Sequence, residues 1–144
     1  MAALPVLVVD DNLEFLRAAR QILRSSVPPF AVHTVQSGTE ALAFLEQRPP
    51  FADAPRPAFV VLDFHLLDMD APAVLERLAV LEGLRTIPVL VLSQAFWEED
   101  AAAARAAGAR QFQEKPSRVR ALRDTIVAFY EEHVHGDQDP ADRG

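Results

Sequence analysis

The sequence predicts a doubly wound α/β protein, because five short strand-like runs, most of them apolar, alternate with amphipathic stretches along 144 residues. These runs are the predicted strands, at residues 4–9, 31–35, 58–62, 87–92 and 110–114. The first, third and fourth are apolar almost throughout, which is typical of parallel strands covered on both faces. The pattern therefore indicates five successive βα units in one domain.

Four of the five predicted helices carry apolar residues three and four positions apart. The stripes are Phe15, Ala19, Ile22 and Leu23; Ala41, Leu42 and Leu45; Val74, Leu75, Leu78 and Leu81; and Leu122, Ile126 and Phe129. The fourth helix is instead rich in alanine and should end at Gly108.

Helix-capping residues agree with these boundaries. Ser37 and Glu40 have the spacing of a capping box at the start of the second helix. Asp70 precedes Pro72 where the third helix should begin, and Ser117 is expected to cap the last helix. The sequence thus indicates where most helices begin.

The domain is predicted to cover residues 1–136. The proline-rich segment 49–57 should form a long loop before the third strand. Residues 137–144 are polar and acidic, and we expect them to form a flexible tail.

Composition argues against several classes of partner. A net charge of -7 disfavours nucleic acid and anionic membranes. The absence of cysteine excludes disulfides and zinc–thiolate sites and fits a reducing compartment. The start of the chain has no basic lead-in, and no uninterrupted apolar stretch approaches the roughly 18 residues of a membrane span. We expect a cytoplasmic protein.

Small polar groups and one lysine follow four of the predicted strands. Asp10 and Asp11 follow the first strand, Asp63 the third, Ser93 the fourth and Lys115 the fifth. The lysine is notable because every other basic residue of the Lys and Arg total is arginine. The carboxyl ends of parallel strands meet at one edge of the sheet, where ligands bind. One crevice could therefore hold all five side chains.

The chemistry of this set favours phosphoryl transfer. Three converging carboxylates repel one another unless a hard divalent cation holds them, so we predict Mg²⁺ at Asp10, Asp11 and Asp63. Asp63, on the central strand, is the predicted nucleophile toward phosphorus. Lys115 and Ser93 would neutralise the charge of the transferring group. An aspartate after a strand is also a common helix cap, so Asp11 could instead cap the first helix.

With these residues in place, the chain resembles the receiver domain of two-component response regulators over about residues 4–134. The motifs that carry the resemblance are Val8-Val9-Asp10-Asp11, Val61-Leu62-Asp63, Val91-Leu92-Ser93 and Lys115-Pro116. The resemblance implies a flavodoxin-like sheet of strand order 2-1-3-4-5.

The resemblance also implies residue roles. Asp63 would accept a phosphoryl group from a phosphohistidine of a sensor histidine kinase, and the main-chain carbonyl of His65 would complete the metal shell. Ser93 and Phe112 would form a switch that alters contacts with a downstream protein. Pro116 would follow a cis peptide bond. Such a protein is not an enzyme beyond its own phosphorylation and dephosphorylation.

Three features are similar to single-domain receivers that partner bacterial phytochromes, namely the long loop 49–57, the segment 84–88 and the extended last helix. Those receivers are often dimers, and the kinase would then be a bacteriophytochrome. Val127, Tyr130 and Val134 lie beside the core stripe of the last helix and are the predicted dimer face. The alternative is that Tyr130 and Val134 only shield the edge of the sheet.

Several positions depart from the usual receiver pattern, and other protein classes remain as alternatives. The departures are Leu67, Ala71, Gln94 and Gln113.

A degenerate receiver that acts unphosphorylated is the nearest alternative, supported by Leu67 and Gln94. A phosphatase of the haloacid dehalogenase type needs a second acid where this chain has His65. A flavodoxin-like electron carrier needs a first loop rich in Ser, Thr and Gly, which is absent here.

Overall fold

A computed structural model of the chain describes residues 3–135 and contains one five-stranded parallel sheet. The strands are β1 (Leu4–Val9), β2 (Phe30–Val35), β3 (Phe59–Asp63), β4 (Val89–Ser93) and β5 (Gln111–Glu114). The helices are α1 (Leu13–Arg24), α2 (Gly38–Leu45), α3 (Ala71–Ala79), α4 (Glu98–Ala107) and α5 (Val119–Tyr130), and a π-helical segment (Glu131–His135) continues α5. The predicted tail at residues 137–144 lies outside the described residues.

The strand order is β2-β1-β3-β4-β5, which confirms the predicted topology. β1 has the predicted bounds, and the bounds of the other strands differ from the predicted ones by one or two residues. β4 begins at Val89 because Ile87 belongs to the preceding turn, where its N–H donates to the Leu84 carbonyl. β3 and β4 extend by one residue to Asp63 and Ser93, so both polar residues belong to the last paired positions of the sheet.

The sheet separates two apolar cores, which explains why its inner strands are apolar throughout. Val6 and Val8 of β1 face the core formed with α1 and α5. Leu7 and Val9 alternate with them and face the core formed with α2, α3 and α4. Successive side chains of a strand point to opposite faces, so a strand covered on both faces needs apolar residues at every position.

The end of α5 belongs to the first of these cores. The Tyr130 ring lies 5.5 Å from that of Phe30, edge to face, and Val134 is completely buried in the same core. Tyr130 is 9% exposed. Both side chains cover the sheet, which was the alternative interpretation, and the predicted dimer face is wrong for these two residues. Val127 packs against the same core and is only partly buried.

Of two predicted helix caps, that of α2 is confirmed and that of α5 is wrong. Ser37 Oγ accepts a hydrogen bond from the Glu40 N–H at 3.0 Å, so α2 has the predicted cap. Ser117 does not cap the last helix, because α5 begins at Val119 and Arg118 occupies the N-cap position without a side-chain bond. No helix within residues 3–135 combines the length and apolarity that crossing a bilayer requires.

Candidate functional site

Strand register brings the predicted site residues to one edge of the sheet. Val9 of β1 pairs with Leu62 of β3, so the residues that follow them, Asp10 and Asp63, lie at the same level. Ser93 ends β4, and Lys115 is the first residue after β5. The Lys115 N–H donates to the Ser93 carbonyl at 2.6 Å. The sheet therefore holds these backbone positions together, as the sequence predicts.

Asp10, Asp11 and Asp63 form a cluster of carboxylates. One oxygen from each lies within 4.8 Å of the others. Asp10 and Asp63 are buried, and Asp11 is half-buried. Carboxylate oxygens are the ligands that hard divalent cations take, and the cluster is open to solvent on the Asp11 side. These residues fit a Mg²⁺ ion.

The first helix is capped by Asn12 and not by Asp11. Asn12 Oδ1 accepts hydrogen bonds from the Glu14 and Phe15 amides at 2.9 and 3.2 Å. The Asn12 N–H in turn donates to Asp10 Oδ1 at 2.9 Å. Because Asn12 is the cap, the Asp11 carboxylate is free to belong to the acidic cluster. The alternative prediction, that Asp11 caps the first helix, is therefore wrong.

Lys115 supplies the positive charge of the cluster. Its Nζ lies 2.6 Å from Asp10 Oδ2 and 3.3 Å from Asp63 Oδ1. It also lies 4.4 Å from the centroid of the Phe15 ring, a distance at which the ring face attracts a cation. Sequence reasoning missed this role of Phe15, because an aromatic residue in a helical core stripe gives no sign of a neighbouring cation.

The electrostatic balance of the site raises the pKa of Asp63. Burial is the largest cause, and the charge of Asp10 adds to it, while the charge and hydrogen bond of Lys115 partly offset both. The net result is a pKa of about 6 for Asp63. The carboxylate is thus largely ionised at neutral pH, at a free-energy cost that a bound cation would relieve.

The loop after β3 carries His65, the predicted main-chain metal ligand. The His65 imidazole lies beside two carboxylates, with Nδ1 3.4 Å from Asp70 and Nε2 3.7 Å from Asp100. Its backbone pairs with Asp70 in an isolated antiparallel bridge. The side chain is therefore engaged with the start of α3 and with α4, and metal binding by the His65 carbonyl stays a prediction.

Ser93 and Phe112, the predicted switch residues, are both buried. The Phe112 ring lies between Phe64 and Phe96, with centroid distances of 5.9 and 5.3 Å and edge-to-face geometry at each. Phe96 and its neighbour Trp97 remain partly exposed in the loop before α4. An aromatic row thus connects the loop after Asp63 to the surface beside α4, and the switching roles stay predictions.

The peptide bond before Pro116 is not cis. Within residues 3–135 the cis bonds are Val27–Pro28 and Pro49–Pro50. The expectation for Pro116 is therefore corrected: the bond has the trans form, which is intrinsically favoured before proline. Lys115 reaches both carboxylates with this backbone.

Two of the four residues that depart from the usual receiver pattern lie at the surface. Leu67 is 90% exposed, and Gln94 is exposed as well. Gln113 Nε2 donates to Thr125 Oγ1 of α5 at 3.3 Å, so the polar residue in β5 has a partner. Ala71 is buried at the start of α3.

Comparison with known proteins gives a family match over most of the chain. A family model described as the response regulator receiver domain matches residues 6–127. Response regulator Rcp1 of Synechocystis sp. is 30% identical over 95 residues, which are 66% of this chain and 65% of Rcp1. The match therefore spans slightly less than two thirds of that relative.

Solved structures agree with the fold over nearly the whole chain. The phosphorylated cyanobacterial phytochrome response regulator RcpA is 29% identical, with a TM-score of 0.82 over 93% of this chain and 96% of RcpA. The Mn²⁺-bound form of Rcp1 is 24% identical, with a TM-score of 0.78 over 91% of this chain and 94% of that protein. The latter match shows the shared fold.

Proposed function

We propose, since this chain belongs to the response regulator receiver domain family, that it accepts a phosphoryl group on Asp63 from a sensor histidine kinase. The observation that supports this proposal most directly is that Lys115 Nζ lies within 3.3 Å of both Asp10 and Asp63, whose carboxylates cluster with that of Asp11. A nucleophilic carboxylate, two further acids and one ammonium are the charges that phosphoryl transfer requires in one place.

The proposed step is a displacement at phosphorus. A carboxylate oxygen of Asp63 forms a bond to the phosphorus of a phosphohistidine as the P–N bond breaks, and its electron pair returns to the imidazole nitrogen. Lys115 and the Ser93 hydroxyl would contact phosphoryl oxygens. Bound Mg²⁺ would supply charge neutralisation, held by Asp10, Asp11, Asp63 and the main-chain carbonyl of His65.

We further propose that the kinase is a bacteriophytochrome. Support comes from the similarity to RcpA, a phytochrome response regulator that matches this chain along almost its whole length. The output would be an altered contact with a downstream protein. The absence of cysteine supports the cytoplasm as the compartment. Homodimerisation stays a prediction, and it requires a surface other than Tyr130 and Val134.

The degenerate receiver that acts unphosphorylated is the alternative to this proposal. Its support is the departure of Gln94 and Leu67 from the usual receiver pattern. Both residues are exposed, and the carboxylates retain the charges and spacing that a cation site needs. We therefore favour the phosphorylated form of signalling.

The test is labelling with acetyl phosphate in the presence of Mg²⁺. We expect a covalent adduct that hydroxylamine removes, as an acyl phosphate requires. Asp63→Asn should not be labelled, whereas Asp53→Asn, a change in the exposed loop before β3, should be labelled like the wild type. An unlabelled wild-type protein, or a labelled Asp63→Asn variant, would contradict the proposal.

A further inference from the structure

We propose that Asp68 is a positioning residue, which fastens the loop after Asp63 to the start of α2 and thereby holds the backbone of His65 at the metal site. This inference rests on the proposed function and assigns a role to a residue that contacts none of the reacting groups. It follows from hydrogen bonds, packing and loop geometry.

Asp68 uses both carboxylate oxygens on α2. Its Oδ1 accepts a hydrogen bond from the Gly38 N–H at 2.9 Å. Its Oδ2 accepts two more, from the Thr39 N–H at 2.9 Å and from Thr39 Oγ1 at 2.7 Å. Three hydrogen bonds thus join segments about 30 residues apart in the sequence.

These bonds complete the hydrogen bonding of the helix start. The first N–H groups of a helix have no partner within the helix and need acceptors from elsewhere. Ser37 provides the acceptor for the Glu40 N–H, but the Gly38 and Thr39 amides are satisfied by Asp68. A carboxylate is favoured at this place because the amino end of a helix carries partial positive charge.

Close packing of the next loop residue supports the same connection. A Cβ built on Gly38 would lie 2.4 Å from Met69 Cγ and 2.6 Å from Met69 Sδ. Glycine at position 38 is therefore what lets Met69 approach the backbone of α2. Two consecutive loop residues, Asp68 and Met69, are held against one helix start.

The rest of the loop is fixed at its two ends. The Phe64 N–H donates to the Leu92 carbonyl, and the Ala71 N–H donates to the Phe64 carbonyl, both at 2.8 Å. Between them the loop folds back, with the backbone of His65 paired to Asp70. Asp68 lies at the tip of this fold, three residues after His65, so its bonds to α2 limit the movement of the intervening backbone.

The carboxylate is suited to this role at neutral pH. Burial acts to raise the pKa of Asp68, but the hydrogen bonds from Thr39 and from backbone amides outweigh it and lower the pKa below its usual value. Asp68 therefore remains ionised and keeps all its acceptor capacity.

The experiment compares Mg²⁺ affinity and loop exchange in three variants. Asp68→Ala removes both acceptor oxygens, and Asp68→Asn keeps one. Ser37→Ala is the matched control, because it removes a cap from the same end of α2 without touching the loop. Isothermal titration with Mg²⁺, well below the melting temperature, measures affinity, and hydrogen exchange measures opening of residues 64–70.

We expect Asp68→Ala to weaken Mg²⁺ binding about tenfold, as loss of groups that orient metal ligands commonly does. Exchange in residues 64–70 should become faster. Asp68→Asn should lie between this variant and the wild type. Ser37→Ala should lower the melting temperature while leaving the Mg²⁺ dissociation constant and loop exchange unchanged.

Two outcomes would overturn the inference. One is wild-type Mg²⁺ affinity and loop exchange in Asp68→Ala; the other is an equal loss of affinity in Ser37→Ala, which would mean that any weakening of α2 suffices. Failure of the proposed function is recognised separately, because the wild-type protein would then bind no Mg²⁺ and take no label from acetyl phosphate. The exchange comparison still decides in that case whether Asp68 holds the loop.

Discussion

The Nζ atom of Lys115 lies 2.6 Å from Oδ2 of Asp10, a contact that joins residues 105 positions apart in the sequence. The Asp10 side chain is 1% exposed, and that of Lys115 is 11% exposed. A buried carboxylate depends on its counter-charge, because little water reaches it to stabilise the ionised form. The ion pair of Lys115 and Asp10 should therefore stabilise the folded protein as well as hold the ammonium group at the acidic cluster.

Replacement of Lys115 by methionine should destabilise the metal-free protein. The change keeps an unbranched apolar side chain but removes the charge beside Asp10 and Asp63. We expect a loss of about 2–4 kcal/mol in the free energy of unfolding at pH 7, since a buried charge is left unpaired. Urea unfolding in the presence of a chelator measures it. Arg85→Met, at an exposed position, serves as the control, and equal stability of both variants would contradict the expectation.

The pKa of Asp63 predicts a pH dependence of stability. A carboxyl whose pKa is raised to about 6 on folding binds more protons in the native state than in the unfolded state. Its contribution to stability is therefore complete at low pH and is lost as pH rises through about 6.

Asp63→Asn removes this titration. Without divalent metal, the variant should exceed the wild type in stability by roughly 1–3 kcal/mol above pH 7, and the difference should vanish near pH 4. Urea unfolding at several pH values tests this. A difference that is constant with pH would mean that the carboxyl is not perturbed, and added Mg²⁺ should reduce the difference at neutral pH.

Gly38 and Met69 should show coupled effects on stability. A methyl group at position 38 would overlap the Met69 side chain, so Gly38→Ala should cost about 1–3 kcal/mol, as overpacking does. Met69→Ala should reduce that cost, because it removes the atoms that overlap. A double-mutant cycle from urea unfolding measures the coupling, and strictly additive effects would show that the two residues do not meet.

Val134 should stabilise the single chain. It is completely buried, so Val134→Ala should lower the free energy of unfolding by about 1–3 kcal/mol through lost apolar burial and the cavity left behind. The loss should be independent of protein concentration. Val80→Ala, at an exposed position of the same residue type, should change stability little. A loss that grows on dilution would instead indicate a role between subunits.

Strand-end chemistry was predictable because each signal is local. Asp10, Asp63 and Ser93 each follow an apolar run, Lys115 follows a short strand-like run, and parallel strands bring such positions to one edge. The five predicted strands and their order are confirmed. Contacts between segments that are far apart in the sequence could not be predicted. The hydrogen bonds of Asp68 to α2 are an example, because an aspartate in a loop is common wherever chains turn and so does not indicate a distant partner.

The end of α5 shows a second limit. Tyr130 and Val134 were predicted at a dimer face because they lie beside the main apolar stripe. Tyr130 instead packs against Phe30 and Phe59, and Val134 is buried in the same core. Tyr130 is the last residue of α5, whereas Val134 lies in the π-helical segment that follows. The wider turn of a π-helix shifts the side chains after Tyr130 relative to the α-helical pattern, and such a change is not visible in the sequence.

Trp97 gives the molecule a built-in optical reporter. It is the sole tryptophan of the chain, stands four residues after Ser93 and is 60% exposed at the start of α4. Its fluorescence therefore originates from one place, next to the aromatic row that ends at Phe96. Emission or quenching of this indole can follow events at the loop before α4 without any attached dye.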